Sequence, residues 1–178
     1  MTKMFAIAAV AEDRTIGDGG TIPWDYSEDT DLFQHMVEDT IMVVGKNTYE
    51  NIRPYFGNEM WVLSNTLSSH RKLRPDNSFY DRFFNNGDFL IEEIKRTTTD
   101  KLISVCGGSS VYNLLTPYCD EIVLTLVPGE YQGDTKFPRL SEDVWDETAS
   151  FILDKENDLK VTHYSRNSKE PTDFYTER

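Results

Sequence analysis

Five short, continuous apolar runs limit what this chain can become: MFAIAAVA, TIMVVG, MWVLS, KLISVC and DEIVLTLV. Each is too short for a core helix and lacks the polar–apolar alternation of a half-exposed strand. Each therefore reads as a strand covered on both faces. Between the runs the apolar spacing turns helical, and helices are expected over 27–37, 47–52, 88–95 and 109–115. Parallel strands need crossover helices between them, so the pattern implies an α/β fold with a mostly parallel central sheet and helices on both faces. The C-terminal part departs from this pattern. WDETASFILDK and DLKVTHYSR, separated by Glu156-Asn157-Asp158, read as a long antiparallel hairpin. One domain over residues 1–167 is expected, followed by a polar tail, 168–178, that is loosely held.

A chain of 178 residues suits that reading, since one domain per roughly 150 residues is the usual scale. The formal charge of −13 would repel phosphates, which argues against nucleic acid and anionic membranes as partners. It fits either a halophilic origin or an ordinary acidic protein. No apolar run approaches the roughly 20 residues that cross a bilayer. The opening MTKMFAIAAVAEDR reaches acids too soon for a secretion signal. Cys106 and Cys119 have neither a CxxC partner nor a histidine at ligand spacing, so no metal site is expected. They read as buried free thiols in a reducing compartment, and a cytoplasmic monomer is the expectation.

The stretch TIPWDYSEDTDLF concentrates acids at a helix start. With Ser27 as the N-cap and ~100° per residue, Leu32, Phe33, Met36 and Val37 share one face, and Asp29 projects near its middle. Asp31 points nearly the opposite way and Glu28 lies toward the edge. Acids in a first turn need no explanation beyond the backbone dipole. An ionised carboxylate on an apolar face is different, because it is costly unless a partner awaits it. The wheel alone leaves both readings of Asp29 open. Gly107-Gly108 follows the run KLISVC and precedes a helix, which suits a pyrophosphate as well as an ordinary turn. It is no GxGxxG, so a Rossmann domain is not supported. The basic cluster His70, Arg71, Lys72 and Arg74 reads as a solvated loop that could assist a phosphate.

The segment IAAVAEDRTIGDGGTIPW resembles the first strand and active-site loop of dihydrofolate reductases. MVVGKNTYENI, VLSN, CGGSSVYNLL and LTLVPGEYQGDTKFP resemble further segments of that family in the same order, over roughly residues 4 to 166. The wording around VPGEY looks most like haloarchaeal members. This resemblance implies NADPH-dependent reduction of dihydrofolate to tetrahydrofolate, in support of one-carbon and thymidylate metabolism. It implies that Asp29 orients and polarises the pterin, that Thr125 completes its network, and that Trp24 holds the water that protonates N5. The substrate would further meet Ile7, Ala8, Phe33, Ile52, Arg53, Tyr55 and Cys106. The cofactor would meet Ala9, Ile16, Gly17, Gly20 and Thr21 along the first strand and loop. Beyond them it would meet Lys46, Asn47 and Thr48, then Ser64 and Asn65, then Gly107, Gly108, Ser109, Ser110, Val111 and Tyr112. A cis bond between the two glycines is also implied.

Two positions depart from the family pattern. Lys46 stands where an arginine commonly meets the 2′-phosphate, which keeps the charge and loses the fork. Asn58 stands where many relatives hold the substrate's glutamate tail with an arginine, which leaves Arg53 as the expected tail contact. The alternatives are a riboflavin-pathway pyrimidine reductase, which resembles this fold, and a non-catalytic pterin- or nucleotide-binding protein.

Overall fold

The computed structural model describes residues 2–66, 70–73 and 80–167. The five apolar runs become strands β1 (Met4–Ala11), β3 (Ile41–Gly45), β4 (Met60–Leu63), β7 (Ile103–Val105) and β8 (Glu121–Val127). They lie in one nine-stranded sheet of order β10-β11-β8-β1-β7-β3-β4-β6-β5, with β6 at Tyr80–Phe84 and β5 at His70–Leu73. From β8 to β6 every neighbouring pair is parallel. The hairpin β10 (Trp145–Asp154) and β11 (Leu159–Arg166) adds antiparallel strands at one side. Its turn falls where expected: the Asp154 carboxylate accepts from the N–H groups of Glu156 and Asn157, and Asp158 has φ +53°.

The inner strands are mostly apolar because each feeds two cores, with Ser104 of β7 and Thr125 of β8 as buried polar exceptions. Met4, Ala6, Ala8 and Val10 of β1 face one cluster, which α3 (Gly87–Arg96) and α4 (Ser109–Leu115) cover with Leu90, Ile94, Val111 and Leu115. Phe5 and Ile7 face the other, which α1 (Ser27–Val37) and α2 (Lys46–Ile52) cover with Leu32, Phe33, Met36, Val37 and Ile52. Burial of this kind is worth ~25 cal/mol per Å2 of apolar surface and supplies the main drive to fold. Cys106 and Cys119 are buried free thiols. Among the described residues no helix is long and apolar enough to cross a membrane.

The structure departs from the sequence reading in several places. Tyr26, not Ser27, is the N-cap of α1, and the Ser27 hydroxyl bonds the Glu28 carboxylate instead of a backbone N–H. His70, Arg71 and Lys72 lie on the edge strand β5, antiparallel to β6, and not in a loop. Charge on an edge strand deters further pairing and leaves no apolar run to read. Arg74 and the tail 168–178 fall outside the described residues. A separate two-stranded sheet joins β2 (Thr15–Gly17) to β9 (Thr135–Lys136).

Arg53, the expected tail contact, is engaged within the protein. Its Nε lies 2.9 Å from Oδ2 of Asp81, which is 2% exposed. Its Nη1 donates to the carbonyls of Phe56 at 2.8 Å and Asn58 at 3.2 Å. Asp81 further accepts from the Tyr49 hydroxyl and the Met60 N–H. Asn58 donates to the carbonyls of Val37 and Thr40. Arg53 and Asn58 thus tie the ends of α1 and α2 to β4 and β6, and the guanidinium is held by Asp81. Removing one partner of a buried pair strands the other charge. Arg53→Ala is expected to lower the unfolding free energy by about 3 kcal/mol. Urea denaturation measures this, and a loss below ~1 kcal/mol would mean that the pair is not the anchor described here.

Candidate active site

In a sheet buried on both faces, polar groups can gather where the strands end and their loops leave. A cavity of about 1040 Å3 opens at the carboxyl ends of β1, β3, β4 and β7. Ala8 and Ala9 of β1 form its floor, with Gly45, Leu63 and Cys106 from the neighbouring strand ends. Helix α2 contributes Lys46, Asn47, Thr48, Asn51 and Ile52 to one wall. Ser64, Asn65 and Thr66 continue from β4, and Gly107, Gly108, Ser109, Ser110, Tyr112 and Asn113 from β7 into α4. The loop after β2 closes another side through Ile16, Gly17, Gly20, Thr21 and Ile22, beside Asp134 and Thr135. The Gly107–Gly108 peptide is cis.

Asp29 stands behind this cavity. It is half-buried on α1, on the face that carries Leu32, Phe33 and Met36 into the core, whereas Asp31 and Glu28 are exposed. Burial raises its pKa above 3.8, and a hydrogen bond from the Thr125 hydroxyl pulls the other way. Thr125 reaches it from β8, where it pairs in register with Ala9. The Tyr112 phenol donates to the Ile7 carbonyl at 2.7 Å. Burial pushes that phenol well above its ordinary pKa, and the nearby Cys106 and Asp29 add to the rise. Tyr112 also lines the cavity. Phe33 packs edge-on against Phe56, with centroids 5.6 Å apart. The Cys106 thiol, pushed up to about 12 by burial, is a wall group and no nucleophile at neutral pH.

Trp24 rests edge-on against Tyr131 at 4.9 Å, and its buried indole N–H bonds no protein group. Of the expected contacts, Ile7, Trp24, Asp29, Phe33, Arg53, Tyr55, Val111 and Thr125 are not among the residues that line this cavity. Val111 is fully buried in the core, with its N–H bonded to the Gly108 carbonyl. Tyr55 is 78% exposed and does not line the cavity. Several lining residues escaped sequence reasoning although signals were present. Asn51 follows Asn47 by one helical turn, and Asp134 and Thr135 belong to the GDT element itself.

The loop is sewn to β9 and the residues just before it. Lys136 Nζ lies 2.6 Å from Asp13 Oδ2 and donates to the Thr15 hydroxyl at 3.0 Å. The Lys136 carbonyl accepts from the Ser109 hydroxyl at 3.1 Å, which ties the seam to α4. A Cβ on Gly133 would come within 2.5 Å of the Gly17 carbonyl oxygen, so this approach requires glycine.

Comparison with known proteins fits this arrangement. The family profile described as dihydrofolate reductase matches residues 3–167. A dihydrofolate reductase of Haloferax volcanii is 29% identical over 147 residues, covering 82% of this chain and 76% of its own. A dihydrofolate reductase of Haloarcula marismortui is 22% identical over 97% of this chain and 96% of its own. Among solved structures, dihydrofolate reductase from Enterococcus faecalis, complexed with NADP(H) and RAB-propyl, superposes with a TM-score of 0.75 at 24% identity. That match covers 93% of this chain and 97% of the other.

The seam gives an acid-sensitive element. The hydrogen bond from Lys136 is the chief cause that holds the Asp13 carboxyl at about 2, against 3.8 unperturbed. A carboxyl depressed on folding stabilises above its unfolded pKa and loses that contribution as pH falls toward the folded value. Asp13→Asn is therefore expected to flatten the fall of Tm between about pH 4 and pH 2. A melting series across that range checks this, and an unchanged slope would contradict it.

Proposed function

The chain belongs to the dihydrofolate reductase family, and from that premise we propose that it reduces 7,8-dihydrofolate to 5,6,7,8-tetrahydrofolate with NADPH. The observation that carries this reading is Asp29, a half-buried carboxylate on an apolar helix face. Its partner is the Thr125 hydroxyl, and burial outweighs that bond in setting its pKa. Such a group holds unspent hydrogen-bonding capacity. Its two oxygens match two parallel N–H donors, as on the amidine-like edge of a pterin (N3 and the 2-amino group). Pairing there fixes the ring in one orientation and favours its protonated form electrostatically.

The cavity suits a dinucleotide in size and chemistry. Gly107 has φ +104°, and the turn it forms with Gly108 lines the cavity beside Thr48, Ser109 and Ser110, where backbone N–H groups and hydroxyls suit a phosphate. Lys46 is the cation among the described lining residues, 40% exposed and 3.9 Å from Glu50. It supplies a charge for a 2′-phosphate without a bidentate fork, so the preference for NADPH over NADH is modest. Bound here, NADPH would supply the hydride for C6 of the pterin. The Trp24 indole N–H holds a water that delivers the accompanying proton to N5, because Asp29 grips the opposite edge of the ring. With Arg53 turned toward Asp81, the ring and not the glutamate tail carries recognition.

Asp29→Asn tests the reading, because two effects of opposite sign are expected. A carboxyl whose pKa is raised on folding costs stability as pH rises through its folded value, so the amide should raise Tm at neutral pH. Loss of the oriented charge should cut kcat/KM for dihydrofolate by more than about a hundredfold. Dihydrofolate-dependent oxidation of NADPH, followed by absorbance, measures the activity. No oxidation by the unmodified protein would overturn the function and favour a non-catalytic binding role. A fully active Asp29→Asn would overturn the role of the carboxylate.

A further inference from the structure

We infer that Asn51 is a positioning residue, a clasp that fastens the active-site loop across the cavity mouth and sets how long a bound nicotinamide cofactor stays. The loop tip is a self-contained turn: the N–H of Asp18 donates to the Thr21 carbonyl at 2.8 Å, and that of Thr21 to the Asp18 carbonyl at 3.0 Å. The Thr21 hydroxyl adds a third bond to the same Asp18 carbonyl at 2.9 Å. Gly19 and Gly20, with φ +55° and +84°, form the apex. Both are exposed, and a Cβ built on either glycine meets no atom beyond its chain neighbours within 4 Å. Hydrogen bonds and not packing therefore hold the apex in place.

Two side chains make those bonds from opposite sides. Asp134, from the segment before β9, accepts from the Gly19 N–H at 3.2 Å. Asn51, on α2, donates from Nδ2 to the Gly20 carbonyl at 3.1 Å. Asp134 lies on the side already sewn to the loop by β2 and β9, so its bond does not span the opening. The bond from Asn51 does, because α2 forms the facing wall and both Asn51 and Gly20 line the cavity. The proposal rests on the function above: Asn47 and Thr48, one turn earlier on α2, are assigned to the cofactor, so the clasp and the phosphate contacts share one helix. A dinucleotide leaving between the loop and α2 requires the Asn51–Gly20 bond to open. Exposed loop segments with few packing contacts open locally at little cost, so one hydrogen bond shifts the balance measurably.

The test compares wild type with Asn51→Ala, Asn51→Asp and Asn51→Gln. All are substitutions at an exposed position, and their melting temperatures should agree. Removing one neutral hydrogen bond should speed NADPH release by about three- to tenfold in Asn51→Ala. Asn51→Asp, which sets a carboxylate against a carbonyl, should release at least as fast. Asn51→Gln keeps the amide donor and should return most of the wild-type residence time. Release is read by stopped-flow displacement. Hydrogen exchange of peptides spanning residues 16–22 in the ligand-free protein should rise in the same order. Wild-type release rates and exchange in both Asn51→Ala and Asn51→Asp would overturn the clasp, as would faster exchange without faster release. If wild type binds no NADPH, the proposed function falls, and the exchange comparison alone upholds or overturns the clasp.

Discussion

A sheet covered on both faces can place chemistry only at its strand ends, and most of this molecule follows from that constraint. β1 gives Phe5 and Ile7 to one core and Met4, Ala6, Ala8 and Val10 to the other, so none of these side chains is available for polar work. The cavity accordingly lies where β1, β3, β4 and β7 stop, and most of its polar lining comes from the turns and helices that follow them. Thr125 is an exception. It is 2% exposed within β8, yet its hydroxyl reaches Asp29 because β8 pairs with β1 beside Ala9, at the edge of the floor.

Asp29 is costly for the ligand-free fold. Its environment disfavours the ionised form, and the Thr125 hydroxyl offsets only part of that. Asp81 shows the alternative, a more deeply buried acid that is fully provided for by Arg53, the Tyr49 hydroxyl and the Met60 N–H. The contrast between a satisfied and an under-satisfied carboxylate within one domain is what the role proposed for Asp29 rests on.

What the sequence made legible was local. The helical period of residues 27–37 put Asp29 on the apolar face, and the continuous runs announced strands buried on both sides. What stayed hidden depended on partners far along the chain. Nothing near Arg53 signals that Asp81 will claim it, since that pairing exists only once β6 lies beside β4. β5 escaped because its residues are basic, and β2 and β9 because three residues and two carry no period. The resemblance marked the loop and the GDT element as landmarks but not the seam of Asp13, Lys136 and Gly133 that joins them.

The claim on which the account turns is that Asp29 waits, under-satisfied, for a ligand that can pair with it. Carbon-13 NMR of carboxyl-labelled aspartate measures this directly, with the Asp29 signal assigned by its loss in Asp29→Asn. The account predicts a titration midpoint above 3.8 in the ligand-free protein. It also predicts that a diaminopyrimidine, whose protonated ring offers two parallel N–H donors, will bring the midpoint down. A ligand-free midpoint at or below 3.8, indifferent to that ligand, would show a carboxylate already satisfied by the protein and would contradict the account.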